Sequence, residues 1–84
     1  MDENDFTFLP YEKAAQVVAA IQEEEDIHQN NKRILTVYNH DDKEICWFDF
    51  DEVMRDVGDV PAGERKAAVQ NYILARIPDW ALDL

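Results

Sequence analysis

Serine is missing from this 84-residue chain, cysteine occurs once and glycine twice. Without serine there is no Ser-His-Asp chemistry to look for. The lone Cys46 excludes an internal disulfide and with it the stapled secreted scaffolds, so a reducing cytosol is the expected compartment. Two glycines leave nothing like a glycine-rich phosphate loop. No apolar run approaches the roughly 20 residues of a membrane span. The opening Met1-Asp2-Glu3-Asn4-Asp5 is acidic where a secretory leader is basic, which again predicts a cytoplasmic protein. Bases are scarce as well: 8 Lys and Arg face 19 Asp and Glu, for a net charge of −11. Nucleic acid and anionic membrane both reward clustered Lys and Arg, so neither is expected as a direct ligand.

What is present is enough to fold. Hydrophobic residues make up 46% of the chain and aromatics 11%, well above the composition of a disordered acidic segment. The length predicts one domain over residues 1–84 with one core.

Pro10 sits where a first helical residue is tolerated, and Ala14, Val17, Val18 and Ile21 follow the i, i+3, i+4, i+7 spacing of a helix face. These predict a first helix over Pro10–Gln29, stopped at Asn30-Asn31. Two runs rich in branched and aromatic residues follow, Lys32–Asn39 and Glu44–Phe50, and both read as strands. The intervening Asn39-His40-Asp41-Asp42-Lys43 is tight-turn chemistry, which makes the pair an antiparallel hairpin. Asp49 or Asp51 can cap a short second helix through Val57, with Gly58 ending it. Pro61 opens a third helix striped by Val69, Tyr72, Ile73 and Ile77, and Pro78 opposes its continuation. The chain closes on an apolar-acidic tail, Asp79–Leu84. The expected fold is α+β, a small domain in the order α-β-β-α-α with an antiparallel β-hairpin packed against helices.

Strict alternation leaves neither face of that hairpin polar. Ile45 and Trp47 oppose Cys46, Phe48 and Phe50, while Leu35 and Val37 oppose Ile34, Thr36 and Tyr38. Both faces call for cover, either from helices one and three on opposite sides or from another chain, a second copy included.

Chemistry is sparse. Paired carboxylates abound, but they lie in hydrophilic runs, whereas acid/base work needs one carboxyl desolvated in a pocket. Cys46 inside an apolar strand reads as an inert buried thiol. The turn from Asn39 lacks the glycine at position six and the glutamate at position twelve of an EF-hand loop, and His28, His40 and Cys46 share no zinc spacing. His28 reads as a helix-end residue and His40 as a solvated turn residue. No catalytic residue, cofactor or metal is expected.

The charge distribution carries the functional reading. Residues 1–30 hold eight acids against one base, and residues 41–59 eight against two, whereas the segment from Val60 onward is balanced, three against three. Glu23, Glu24, Glu25 and Asp26 fall near the predicted helix C-terminus, where the macrodipole disfavours negative charge. The second cluster comprises Asp41, Asp42 and Glu44, then Asp49, Asp51, Glu52 and Asp56. In an extended strand Asp49 and Asp51 would stand roughly 6.6–6.8 Å apart, of the order of phosphate spacing. These eleven acids are the expected partner-binding residues, directed at a cationic protein surface that normally holds nucleic acid. In size and charge the chain is similar in kind to the small acidic proteins of phages and mobile elements that inhibit CRISPR effectors or restriction enzymes, and to immunity proteins of nuclease toxins. The competing expectation is an adaptor or regulatory subunit that binds through apolar surface, with Trp47, Phe48, Trp80, Leu82 and Leu84 as contacts.

Overall fold

The computed structural model describes residues 7–28 and 31–84. It is α+β: α1 (Tyr11–Val17), β1 (Val18–Glu25), β2 (Arg33–Asn39), β3 (Glu44–Asp49), α2 (Phe50–Val57) and α3 (Arg65–Leu74). Short 3-10 turns at Ala62–Glu64 and Asp79–Asp83 flank α3. The sheet is antiparallel in the order β1-β2-β3.

The largest departure from the sequence reading is the first helix. Only Tyr11–Val17 is helical, and the remainder of the expected helix is strand β1 up to Glu25, with Gln29 and Asn30 outside the described residues. The hairpin is therefore the second half of a three-stranded sheet, and β2 is its centre. The apolar spacing of Ala14, Val17, Val18 and Ile21 suits a helix, but three of the four are β-branched, a side chain that a pleated strand accommodates better. Extension also removes the conflict between a helix C-terminus and four consecutive acids, since a sheet has almost no net dipole. Along β1, Glu23 pairs with Arg33 at 2.9 Å. The chain returns through a connection in which the Asp26 amide donates to the Lys32 carbonyl at 3.0 Å and Asn31 adopts φ 66°. His28 lies in this connection rather than at a helix end, its amide donating to Asp26 Oδ1 at 2.8 Å.

The second half follows the sequence more closely. Asn39 Oδ1 accepts from the amides of Asp41 and Lys43, both at 2.9 Å, which locks the β2–β3 turn. His40, exposed in that turn, also reaches the Gln16 carbonyl of α1 at 2.9 Å. Asp49 caps α2 by accepting from the Glu52 amide at 3.0 Å. Gly58, at φ 80°, ends that helix in a conformation glycine adopts without strain. Helix α3 stops at Leu74, short of Ile77, because Pro78 pushes the residue before it out of helical geometry. Ile77 is fully buried all the same, in an extended segment whose carbonyl accepts from the Leu9 amide at 2.8 Å.

The core lies between the sheet and the helices. Leu35, Val37 and Ile45 from the strands meet Ala14 of α1, Val53 of α2 and Val69 and Ile73 of α3. Helix α1 packs on β1 and α3, while α2 packs on β2, β3 and α3, so the helices share one side of the sheet instead of straddling it.

Two β-bulges decide which side chains face them. Val18 and Ala20 pair with Asn39 and Tyr38, leaving Ala19 extra in β1. Cys46 and Glu44 pair with Val37 and Tyr38, leaving Ile45 extra in β3. The second bulge breaks the alternation, so that Ile45 joins Cys46 and Phe48 against the helices. Trp47 is left on the outer face, 54% exposed.

Candidate functional site: the outer face of the sheet

Thr36 lies at the middle of the outer face, with Gln22 of β1 on one side and Trp47 of β3 on the other. It is only 1% exposed, although no helix among the described residues lies on that side, because neighbouring side chains cover it. One of them is Glu24. Its Oε1 accepts from Thr36 Oγ1 at 2.8 Å and its Oε2 from the Tyr38 hydroxyl at 2.7 Å. These two bonds, Tyr38 first, hold the Glu24 carboxyl below its ordinary value, and the same bond pushes Tyr38 up. Two neutral hydroxyls thus fix an ionised carboxylate in orientation without cancelling its charge. Each oxygen keeps a lone pair for another donor.

Around this point the face is concave, enclosing about 470 Å³. Four acidic residues, Glu24, Glu25, Asp26 and Glu44, are among its lining residues, with Glu24 on the outer face of β1, and Trp47 and Ile34 contribute apolar surface. Ile27, 90% exposed, and His28 stand at its rim on the β1–β2 connection. Among the described residues no Lys or Arg lines this concavity. Lys32, at the same end of the sheet, is held by Asp49 at 3.0 Å, with Asp51 and Asp26 adding to the field that keeps its amine protonated.

The two acidic runs therefore meet in part. Glu24, Glu25 and Asp26 of the first share a hollow with Glu44 of the second, and Asp26 converges with Asp49 and Asp51 on Lys32. Glu23 points to the helix side of β1 beside Arg33, and Asp41 and Asp42 stay in the β2–β3 turn. Glu52 lies 3.8 Å from Arg55, and Asp56 accepts from the Tyr72 hydroxyl at 2.7 Å. The extended-strand geometry behind the phosphate-like spacing expected for Asp49 and Asp51 does not hold, because the strand ends at Asp49 and Asp51 is helical. Asp49 is occupied by the α2 cap and by Lys32, which together hold its carboxyl low.

Sequence reasoning found the acids but not what they surround. Thr36 and Ile34 had no signal in a strand that looked apolar on both faces, and Trp47 was separated from Ile45 only by a bulge.

On the other side, a groove of about 440 Å³ opens between the β1 edge and helices α2 and α3. Ile21, Leu35, Phe50, Met54 and Val69 line it, with Arg65 and Lys66 at its margin. Cys46 faces the core, where burial, with Glu44 adding to it, pushes its thiol up to about 11. Among the described residues no helix is long and apolar enough to cross a membrane. No family model, curated protein or solved structure matches the chain.

Proposed function

We propose that this chain is a non-enzymatic binding protein whose outer sheet face occupies a basic, nucleic-acid-binding surface of a target protein, in the manner of anti-CRISPR, anti-restriction or nuclease-immunity inhibitors. The observation that carries the reading is the concavity itself: carboxylates from both acidic runs around an exposed Trp47, with no Lys or Arg among its described lining residues. A surface of one sign steers an oppositely charged partner and raises the association rate, while the aromatic supplies contact area at small entropic cost. Glu24, Glu25, Asp26 and Glu44 are the principal contacts. Asp49, Asp51 and Glu52 extend the negative field at the end of the sheet where Lys32 lies.

The test is capture from host lysate at about 100 mM salt, followed by release with about 500 mM salt or excess duplex DNA, since exposed charges are screened over such a range. Recovery of a basic nucleic-acid-binding protein, released by both treatments and lost in Glu24→Lys and Glu44→Lys, supports the reading. A partner indifferent to salt, to DNA and to both reversals sinks it. That outcome favours a second reading, an adaptor that binds through apolar surface, for which the helix-side groove and the exposed Trp80, Leu82 and Leu84 are the observations.

A further inference from the structure

We propose that the outer-face concavity takes an arginine side chain of the partner, its guanidinium stacked on the Trp47 indole and its N–H groups directed at the carboxylates of Glu24 and Glu44. This rests on the reading of that face as a docking surface, and narrows it from a charged patch to one chemical group. Three features of the hollow select for it. Trp47 is half exposed and stands beside Thr36, whose hydroxyl holds Glu24, so an aromatic face and an oriented carboxylate are neighbours. Glu24 is fixed by two hydroxyl donors and pairs with no cation among the described residues, which leaves its charge and its remaining lone pairs for a ligand. Glu44 starts β3 on the same face opposite Tyr38, so acceptors flank the indole from both edge strands.

Arginine fits this arrangement better than lysine. A guanidinium is flat, weakly hydrated and offers five N–H donors in one plane, so it can lie on an indole and still bond carboxylates at its edge. An ammonium is compact and strongly hydrated, and gives up more on leaving water for the same ring. The fixed carboxylate adds to the preference, because a planar donor set gains most from an acceptor that needs no ordering.

The experiment compares octa-arginine with octa-lysine, two peptides of equal charge, titrated at low salt into Trp80→Phe protein so that Trp47 is the sole tryptophan. Octa-arginine binds about three- to tenfold more tightly and changes Trp47 emission. Trp47→Ala, checked by circular dichroism, abolishes the ratio, and Trp47→Phe, which keeps a ring opposite Thr36, gives a smaller one. Asp41→Asn with Asp42→Asn, outside the hollow, leaves the ratio intact. Equal affinities with unchanged Trp47 emission overturn the arginine site. In that case, weakening of both peptides by Glu24→Gln with Glu44→Gln leaves the acidic docking face standing, whereas no weakening removes it too.

Discussion

Replacing Ile73 and Trp47 by alanine, one at a time, tests which face of the sheet is core. Ile73 is wholly buried in one core cluster with Leu35, Val37 and Ile45 of the strands, Ala14 of α1 and Val53 of α2. Its truncation leaves a cavity that surrounding elements cannot easily close, placing the loss at about 3–4 kcal/mol. Trp47 is a larger side chain but 54% exposed, so its truncation removes only part of the area lost by a core tryptophan, about 1.5 kcal/mol or less. A chain of 84 residues has a total stability of about 4–13 kcal/mol. Urea unfolding followed by circular dichroism, with a slope of about 1.3 kcal/mol per molar, should show midpoints lowered by about 2–3 M for Ile73→Ala and about 1 M or less for Trp47→Ala. If Ile73→Ala leaves no folded baseline, Ile73→Val, costing about 1 kcal/mol, supports the same comparison. A Trp47→Ala loss equal to or above that of Ile73→Ala would refute the assignment of the outer face as open, and the binding proposal with it.

The other predictions concern single groups. Tyr38→Phe removes the donor that does most to depress Glu24, so a carboxyl NMR titration should show Glu24 moving up toward 4.5. Because the folded value lies below the unfolded one, this contribution is present above about pH 4.5 and is lost as pH falls through the folded value. The melting-temperature gap between parent and Tyr38→Phe should therefore narrow on acidification, and a gap that widens contradicts the hydrogen bond. Asp49→Asn should keep the α2 cap and lose only the exposed Lys32 pair, whereas Asp49→Ala loses both, so thermal melts should rank parent, Asn and Ala in falling order. Cys46, with its thiol at about 11, should react with a thiol reagent at pH 8 far more slowly than in urea-unfolded protein; equal rates would place it outside the core.

The readable parts of the fold were those with local chemistry. The β2–β3 turn, the α2 boundaries at Asp49 and Gly58 and the halt before Pro78 each depend on residues next to one another, and turn, cap and proline rules reach that far. The exchange of helix for strand after Val17 depended on partners across the β1–β2 connection: β2 offers Thr36 and Tyr38, twelve and fourteen residues on, to Glu24, and a helical pattern of apolar positions contains no record of that offer. The candidate site was legible as charge and illegible as place. Its acids stood out in the sequence, but their grouping around Trp47 depends on the bulge at Ile45, and a bulge shifts every later side chain by one without altering composition.

Both bulges fall beside Tyr38, one in each edge strand and on successive steps of β2, so over this stretch each margin of the sheet contains one more residue than its midline. A strip whose two borders are longer than its centre cannot lie flat, nor on a simple cylinder; it relaxes into a saddle. β-Bulges bend and twist the strands that carry them, and the outer face beside these two is hollow around Trp47. A saddle accepts a rod laid along its hollow and rocks against a plane. For the proposed docking face, such a shape would favour a partner that presents a helix or a ridge over one that presents a flat wall.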